Sequence, residues 1–269
     1  MPRWLALGFQ DRSSIPIGEL SSLHDYVIVI MARVLVLISY VMVYLLFRGR
    51  FYKHLSEGTF IETVWSMVPA FLLVILVLPS MKVLYLMEDI KLPSFSFKII
   101  GHQWYWSYVV PLFNNFSFKL KDSHYFNLEY DSLLEDFSLD SDYPRLLGCS
   151  RDLWFPVNTT SRLLVSSTDV IHSFAVPALG LKVDAMPGRI NQLYVNPSRV
   201  GVFYGQCSEI CGSNHSFIPI RVKVGCVRDY DNHTKSLLLE LVEDSYSFKV
   251  SFLSFSYSNI ALSRLRSLA

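Results

Sequence analysis

The chain is short of charge, of cysteine and of any net electrostatic sign. Only 17% of its 269 residues are Asp, Glu, Lys or Arg, against roughly 25% in a typical soluble domain. With 51% hydrophobic residues a disordered chain is excluded, and a mean hydropathy of +0.32 is too apolar for an ordinary soluble domain. The 24 Lys and Arg balance 23 Asp and Glu to a net charge of +1. No global field favours nucleic acid or a purely electrostatic hold on a membrane, so a charged partner must see a local patch. Four cysteines are too few for a disulfide scaffold at this length. No internal repeat is visible. The first apolar run begins only after some 25 mixed residues and no small-residue cleavage site follows it, so it is expected to stay in the chain rather than act as a signal peptide.

What the chain does have is two long apolar runs. Residues 26–47 run for 22 positions with Arg33 as their only charge, and residues 63–81 for 19 with none. At about 1.5 Å per residue, each can cross a hydrocarbon core of about 30 Å. Helices buried in a soluble core rarely go five turns without a polar face. Two transmembrane helices are therefore expected, at about 26–47 and 63–87. Pro69 and Pro79 fall in the second, where neighbouring helices and local rearrangement re-satisfy the freed backbone groups. Arg33 lies about a third of the way into the first, where a charge is expensive. It either snorkels toward the nearer surface, the simpler reading, or faces a protein partner. The loop 48–62 carries Arg48, Arg50 and Lys53, which by the positive-inside tendency places it on the side of synthesis and both termini on the other. Lys82, Lys91 and Lys98, beyond the second run, oppose that signal.

About 180 largely polar residues follow, enough for one folded domain. Stretches 162–166, 191–195 and 217–224 mix β-branched and aromatic residues with polar ones, and Pro187-Gly188 and Asn196-Pro197 punctuate them. This pattern predicts a β-sandwich or barrel of short strands. Between 129 and 142 stand Glu129, Asp131, Glu135, Asp136, Asp140 and Asp142 with no base. They read as a solvated loop or as a docking surface for a basic protein.

The chemistry concentrates in residues 205–220, GQCSEICGSNHSFIPI, which set Cys207, Glu209, Cys211 and His215 within nine residues. Thiolates with imidazole favour copper or zinc over hard cations. His172, some 35 residues upstream, brings the inventory to two Cys and two His. That set suits tetrahedral zinc as well as copper, and a Cys207–Cys211 disulfide is a third alternative.

The same chain carries HDY at His24, ETVWSMVPA at Glu62, GHQWYWSY at Gly101, LGLKVDAMPGR at Leu179 and GQCSEICGSNHSF at Gly205. In these blocks, in this order from LGFQD at Leu7 to about Val224, it resembles subunit II of the cytochrome c oxidases. The resemblance implies two N-terminal transmembrane helices in a hairpin and a C-terminal all-β, cupredoxin-like Greek-key barrel. The corresponding domains are a membrane hairpin at 1–92, a metal-binding domain at 93–228 and an extension of unassigned role at 229–269. It implies a binuclear copper centre, CuA, in which both metals share the thiolates of Cys207 and Cys211 while His172 and His215 each cap one. The Glu209 carbonyl would be a weak copper ligand, and its carboxylate would reach magnesium at the interface with subunit I, as suits a hard cation. Trp104 would be where electrons arrive from cytochrome c, although the run Trp104-Tyr105-Trp106 also reads as interfacial anchors. Glu62 would lie at the mouth of a proton-uptake path, although a carboxylate at a helix start is favoured by the macrodipole in any case. The implied activity is electron transfer to haem a of subunit I, where oxygen is reduced to water with proton translocation. The implied partners are subunit I, further oxidase subunits, cytochrome c and the membrane, with no nucleic acid. The implied location is the mitochondrial inner membrane, multi-pass, with the copper domain in the intermembrane space. Asn158 and Asn232, in Asn-x-Ser/Thr sites, carry no weight there.

The chain departs from the family pattern at several points. Ile218 stands where the family has an axial methionine, and an alkyl group cannot donate. Axial ligands tune a copper potential more than they hold the ion, so the expected effect is on potential and electronic asymmetry. An AUA codon read as isoleucine in place of methionine would give the same letter. Val109 stands where an acid usually follows GHQWYWSY, which moves the expected docking charges to the 129–142 acids and Asp169. The segment 111–147 is longer than usual. The tail, rich in serine and aromatics, reads as a strand pair, a subunit contact or a loosely ordered end. Cys149 and Cys226 are expected to be free, buried thiols. Two other readings stand beside the leading one: a structural oxidase subunit with an impaired or lost CuA site, and a membrane-anchored copper or zinc carrier.

Overall fold

In the computed structural model of the protein, residues 5, 8–49, 57–88, 92–112, 127–136, 138 and 141–250 are described, the last nine as helical backbone alone. Arg50, Lys53, Lys91, residues 113–126, 137, 139 and 140 of the long 111–147 segment, and the tail beyond 250 lie outside them.

Helices α1 (Ile15–Arg48) and α2 (Thr59–Glu88) form the expected hairpin. Both are long and apolar enough to cross a membrane. α1 begins well before the apolar run. Pro16 suits a first turn, and Leu20 and Leu23 continue the half-buried stripe of Val27, Ile30 and Val34. Glu19 pairs with Lys82 of α2 at 3.1 Å. α1 ends at Gly49, whose φ of +58° is easy only for glycine and whose N–H returns to the Leu45 carbonyl. α2 runs unbroken through Pro69 and Pro79.

Among the described residues ten strands follow: β1 (Phe95–His102), β2 (Tyr105–Pro111), β3 (Asn127–Ser132), β4 (Leu153–Pro156), β5 (Ser161–Ser167), β6 (His172–Val176), β7 (Leu181–Ala185), β8 (Asn191–Val195), β9 (Gly201–Gln206) and β10 (Pro219–Gly225). They make a five-stranded sheet in the order β3-β2-β1-β5-β8, a three-stranded sheet β4-β10-β9 and the hairpin β6-β7. Pairing is antiparallel except for β1 with β5 and β4 with β10. The expected strand 162–166 lies inside β5 and 191–195 coincides with β8. The expected strand 217–224 starts late, because His215–Phe217 form a 3-10 turn before β10. The cupredoxin-like barrel is thus three sheets around one core; among the described residues no continuous ladder joins them.

The core explains the strand patterns. β5 alternates buried and half-buried residues, as one face packs inward. β6 is buried at all five positions, HSFAV. Phe97 meets Phe155 edge-on at 4.8 Å, and Trp106 meets Phe174 at 5.4 Å, geometries that aromatic pairs favour beyond their buried area.

A third helix, α3 (Val227–Val250), closes the described chain. A strand pair is therefore excluded over 227–250. Tyr230, Thr234 and Leu237 are buried and Leu238 and Leu241 half-buried, the spacing of one helical face. Tyr230 donates its hydroxyl to the Pro111 carbonyl at 2.7 Å, the His233 ring stacks on Trp154 at 4.7 Å, and Arg151 pairs with Glu240 at 2.7 Å. Cys149 is buried as expected, but Cys226 is exposed: it sits in the turn between β10 and α3, outside the core.

The segment before α1 is bound to the β domain. Ser13 N–H donates to Ala178 O at 3.0 Å and Ser198 N–H to Ser13 O at 2.8 Å. Ser14 Oγ donates to Leu179 O at 2.7 Å, and Arg199 Nε to Ser13 Oγ at 2.8 Å. Buried Ile17 packs on Gly180, where a Cβ would come within 3.0 Å of the isoleucine Cβ. The N-terminal end of α1 and the β domain therefore share one side of the hairpin.

Candidate metal centre

Three elements meet at the site. β6 begins with His172. The loop 207–218 joins β9 to β10 and carries Cys207, Glu209, Cys211 and His215, its ends fixed by the pairing of Gln206 with Pro219. The turn between β1 and β2 brings Gln103 and Trp104.

The ligand loop is held by backbone bonds. Cys207 N–H donates to Ile218 O at 3.1 Å and Ser208 N–H to Ser173 O at 3.0 Å, which sews the loop to β6. Gln103 Nε2 donates to Cys211 O at 2.8 Å. Two glycines permit the close approach. A Cβ on Gly205 would fall on the Ala175 carbonyl oxygen, and one on Gly101 would lie 3.0–3.1 Å from the His172 ring and Cβ.

Four soft donors come together. Cys207 Sγ lies 4.0 Å from Cys211 Sγ and 3.9 Å from His172 Nδ1, and Cys211 Sγ lies 3.5 Å from His215 Nδ1. The donors of His172, Cys207 and Cys211 all fall within 4.8 Å of one another in a buried pocket, and His215 joins them through Cys211. Both cysteines are free, and a sulfur separation of 4.0 Å is far beyond a disulfide bond. The disulfide alternative does not describe this chain. Two thiols and two imidazoles facing one small volume fit a soft or borderline metal.

Asp169 is the residue whose role sequence reasoning missed. It was expected to be a docking charge. Its Oδ1 also lies 2.8 Å from His172 Nε2 and accepts from Val170 N at 2.6 Å, while Oδ2 accepts from Gln103 N at 2.6 Å. A carboxylate can only accept here, so Nε2 carries a proton, which leaves Nδ1, facing the thiols, as the ring nitrogen that can offer a lone pair to a metal. This is the carboxylate–histidine arrangement that orients metal ligands. The i,i+3 spacing of Asp169 and His172 was the one available signal.

The electrostatics follow from these contacts. Burial opposes the charge on Asp169, but the bonds from His172, Val170 and Gln103 prevail and hold its carboxyl below the usual range. Burial would lower His172, yet its bonds to Cys207 and Asp169 raise it above an ordinary histidine. Burial likewise opposes a Cys207 thiolate, but hydrogen bonding to His172 and backbone groups brings it down to about 6. Burial and the neighbouring Cys207 thiolate hold Cys211 up. The metal-free pair thus keeps one proton, which a cation displaces on binding both sulfurs.

The remaining candidates fall around this core. Ile218 is 1% exposed at the end of the ligand loop. The Glu209 carbonyl lies 3.5 Å from Cys207 Sγ, while its side chain points to solvent. Trp104 covers the loop: a Cβ on Gly212 would come within 3.2 Å of the Trp104 ring, and φ of +129° there suits only glycine. Glu62 lies in the first turn of α2 with Oε1 3.4 Å from Gly58 N. It is not gathered with the metal donors; it sits at the opposite end of α2 from Lys82. Of the acids, Glu129, Glu135, Asp136 and Asp142 are exposed, and Asp131 accepts from Ser107 Oγ at 2.6 Å.

Fold and site together define a membrane-anchored, cupredoxin-like metalloprotein. Comparison with known proteins gives its family. Residues 95–225 match the family described as cytochrome C oxidase subunit II, periplasmic domain, and residues 2–83 match its transmembrane domain. Cytochrome c oxidase subunit 2 of Branchiostoma floridae is 42% identical over 235 residues, covering 87% of this chain and 97% of that protein. The Drosophila ambigua protein of the same name is 43% identical over 224 residues, covering 83% and 93%. The periplasmic domain of subunit II of cytochrome oxidase of Bradyrhizobium japonicum aligns with 38% identity over 56% of this chain and 99% of that one, with a TM-score of 0.47. The chain belongs to the cytochrome c oxidase subunit II family. It is a subunit of that oxidoreductase and assembles with other oxidase subunits.

Proposed function

We propose that this chain is the electron-accepting subunit of its oxidase, taking electrons from cytochrome c and delivering them toward haem a of subunit I. Its place is the mitochondrial inner membrane, with the β domain in the intermembrane space. The observation that carries the reading is the contact of Trp104 with the ligand loop. An indole at the end of the domain lies on Gly212, directly after Cys211, and its neighbour Gln103 bonds the Cys211 carbonyl. A surface aromatic is thereby joined to a buried thiolate pair.

The donors of His172, Cys207, Cys211 and His215, with the Glu209 carbonyl, would hold a binuclear copper centre, CuA. When bound, the copper pair supplies a one-electron relay whose charge is shared over two ions. The chain's own part is to keep that site from rearranging. Asp169 fixes the His172 ring, Ser173 and Ile218 fix the loop backbone, and the apolar core excludes water. The exposed Glu209 carboxylate would reach magnesium at the interface with subunit I. Glu129, Glu135, Asp136 and Asp142 present a negative edge to a basic cytochrome c, whose association would then weaken with salt. Glu62, at the far end of α2, would open a proton-uptake path.

The test is metal stoichiometry and electron paramagnetic resonance on the full chain in the purified oxidase. Two coppers per chain sharing one unpaired electron support the proposal. One copper with a localised electron, zinc, or no metal would overturn it and leave a structural subunit or a metal carrier. Trp104→Phe should then slow oxidation of cytochrome c while leaving copper content and spectrum unchanged.

A further inference from the structure

α1 concentrates its one charge and its tyrosines within the membrane on one face. Tyr26, Arg33 and Tyr40 are spaced seven residues apart, about 20° short of two full turns per step, and Tyr44 falls in the same sector one turn beyond Tyr40. All four are exposed. Tyr40 and Tyr44 stack at 6.4 Å, and Arg48 covers the Tyr44 ring at 5.7 Å. The seam toward α2 lies elsewhere, along Leu23, Val27, Ile30 and Val34. The far side, Ile28, Met31, Leu35, Met42 and Leu46, bears no charge and no aromatic hydroxyl, its one polar group being Ser39.

We propose that the Tyr26–Arg33–Tyr40–Tyr44 face of α1 docks against a transmembrane helix of another oxidase subunit, and that this helix presents a carboxylate to Arg33. The charge requires it. Neither 26–47 nor 63–87 contains an Asp or Glu, and among the described residues Arg33 makes no hydrogen bond or ion pair. Asp25, against His24 at 3.3 Å, lies eight residues away, about 12 Å along the axis, and Glu19, joined to Lys82, lies 14 residues away, about 21 Å. An ionised side chain at that depth faces a protein interior, a water-filled cavity or a partner. Snorkelling toward the surface near Tyr26 accounts for Arg33 alone. It does not explain why the tyrosines on both sides of it share its sector. Interfacial anchoring sets the depth of a tyrosine, not its direction around the helix. Hydroxyls and a guanidinium lined up on one face are what interhelical hydrogen bonding in lipid uses.

The test places a photoreactive residue in the assembled oxidase at Leu37 or Tyr40, and in parallel at Leu35 or Met42 on the far side. Leu37 and Tyr40 should cross-link to one other oxidase subunit several-fold more than Leu35 and Met42, and the cross-linked peptide should hold an Asp or Glu. Labelling of lipid alone at Leu37 and Tyr40 would overturn the docking. Arg33→Leu should lower incorporation into the complex several-fold with membrane insertion retained, and Arg33→Lys should restore most of it. Wild-type incorporation of Arg33→Leu would overturn the ion pair.

Discussion

Replacing Asp169 by alanine tests whether the metal centre depends on a residue that binds no metal. The substitution removes the acceptor 2.8 Å from His172 Nε2 and the acceptors of Gln103 N and Val170 N, each at 2.6 Å. The His172 ring then loses the bond that fixes its tautomer. Its other nitrogen, 3.9 Å from Cys207 Sγ, is no longer obliged to be the free lone pair. Loss of such an outer partner typically lowers metal affinity about 10–100-fold, or about 1.4–2.8 kcal/mol. Three contacts go at once, but the Asp169 side chain is 29% exposed, so water can enter the space it leaves and make up part of the loss at Nε2; the middle of that range is expected. The assay is competition for copper between the full chain and a chelator of known affinity, with paramagnetic resonance read in parallel. Asp169→Asn, which keeps one acceptor oxygen, should fall between alanine and wild type. The reasoning is refuted if Asp169→Ala binds copper with unchanged affinity and an unchanged spectrum. In that case the packing of β6 alone would position His172.

Ile218→Met puts a thioether at a buried position of similar volume, so stability should change by less than about 1.5 kcal/mol; the copper potential should shift, and an unchanged potential would show that the side chain does not reach the metal. Mass spectrometry of the peptide around Ile218 separates isoleucine from methionine directly. Gly205→Ala would drive a methyl onto the Ala175 carbonyl and should destabilise the β domain by about 1–3 kcal/mol, read as a lower midpoint in thermal unfolding; a wild-type midpoint would mean that β6 and β9 separate easily. His233 has its pKa lowered chiefly by burial, with Lys223 adding to the effect and Asp152 and Glu240 opposing it. The neutral ring's contribution is thus complete above about 6.5 and is lost as pH falls below that value. Protection of the α3 amides, relative to the intrinsic exchange rate at each pH, should fall at acid pH and become insensitive to pH in His233→Phe, and a flat wild-type profile of protection would sink the idea.

The membrane hairpin was legible because its signal is composition, which needs no knowledge of tertiary contacts. The N-terminal extension of α1 was not. Residues 15–25 are helical because Leu20 and Leu23 pack toward α2 and Glu19 meets Lys82, contacts that exist only once the hairpin is folded. β5 and β8 were legible from alternation and flanking turns, whereas β6, buried at every position, shows no period at all. In the tail, the serine and aromatic content beyond 240 masked the Tyr230, Thr234 and Leu237 spacing that makes α3 amphipathic. At the site, the donors Cys207, Cys211, His215 and His172 stood out by residue type, which is chemistry carried in the letters. The contact of Asp169 with His172 was missed because an acid's role depends on what faces it. Opposite solvent it steers a partner, and opposite an imidazole nitrogen it sets a tautomer.

The way β6 is held also links the site to the membrane. His172 opens the strand and is fixed by Asp169, while beyond Val176 the 3-10 turn Pro177–Leu179 offers its carbonyls to Ser13 and Ser14, the residues that precede α1. The strand between them is buried throughout and about 17 Å long at about 3.3 Å per residue. One rigid strand therefore connects a candidate metal-ligating histidine to the cap of a transmembrane helix. Gly180 closes the joint, since any side chain there would meet Ile17 and its φ of +68° disfavours one. A β domain tethered only by the linker after α2 would be free to rotate over the membrane. Attachment at the start of α1 as well removes that freedom and fixes the height of the site above the lipid. Electron transfer falls steeply with distance, so under the proposed function, a relay to an acceptor within the membrane, this second attachment is what would keep the transfer distance fixed.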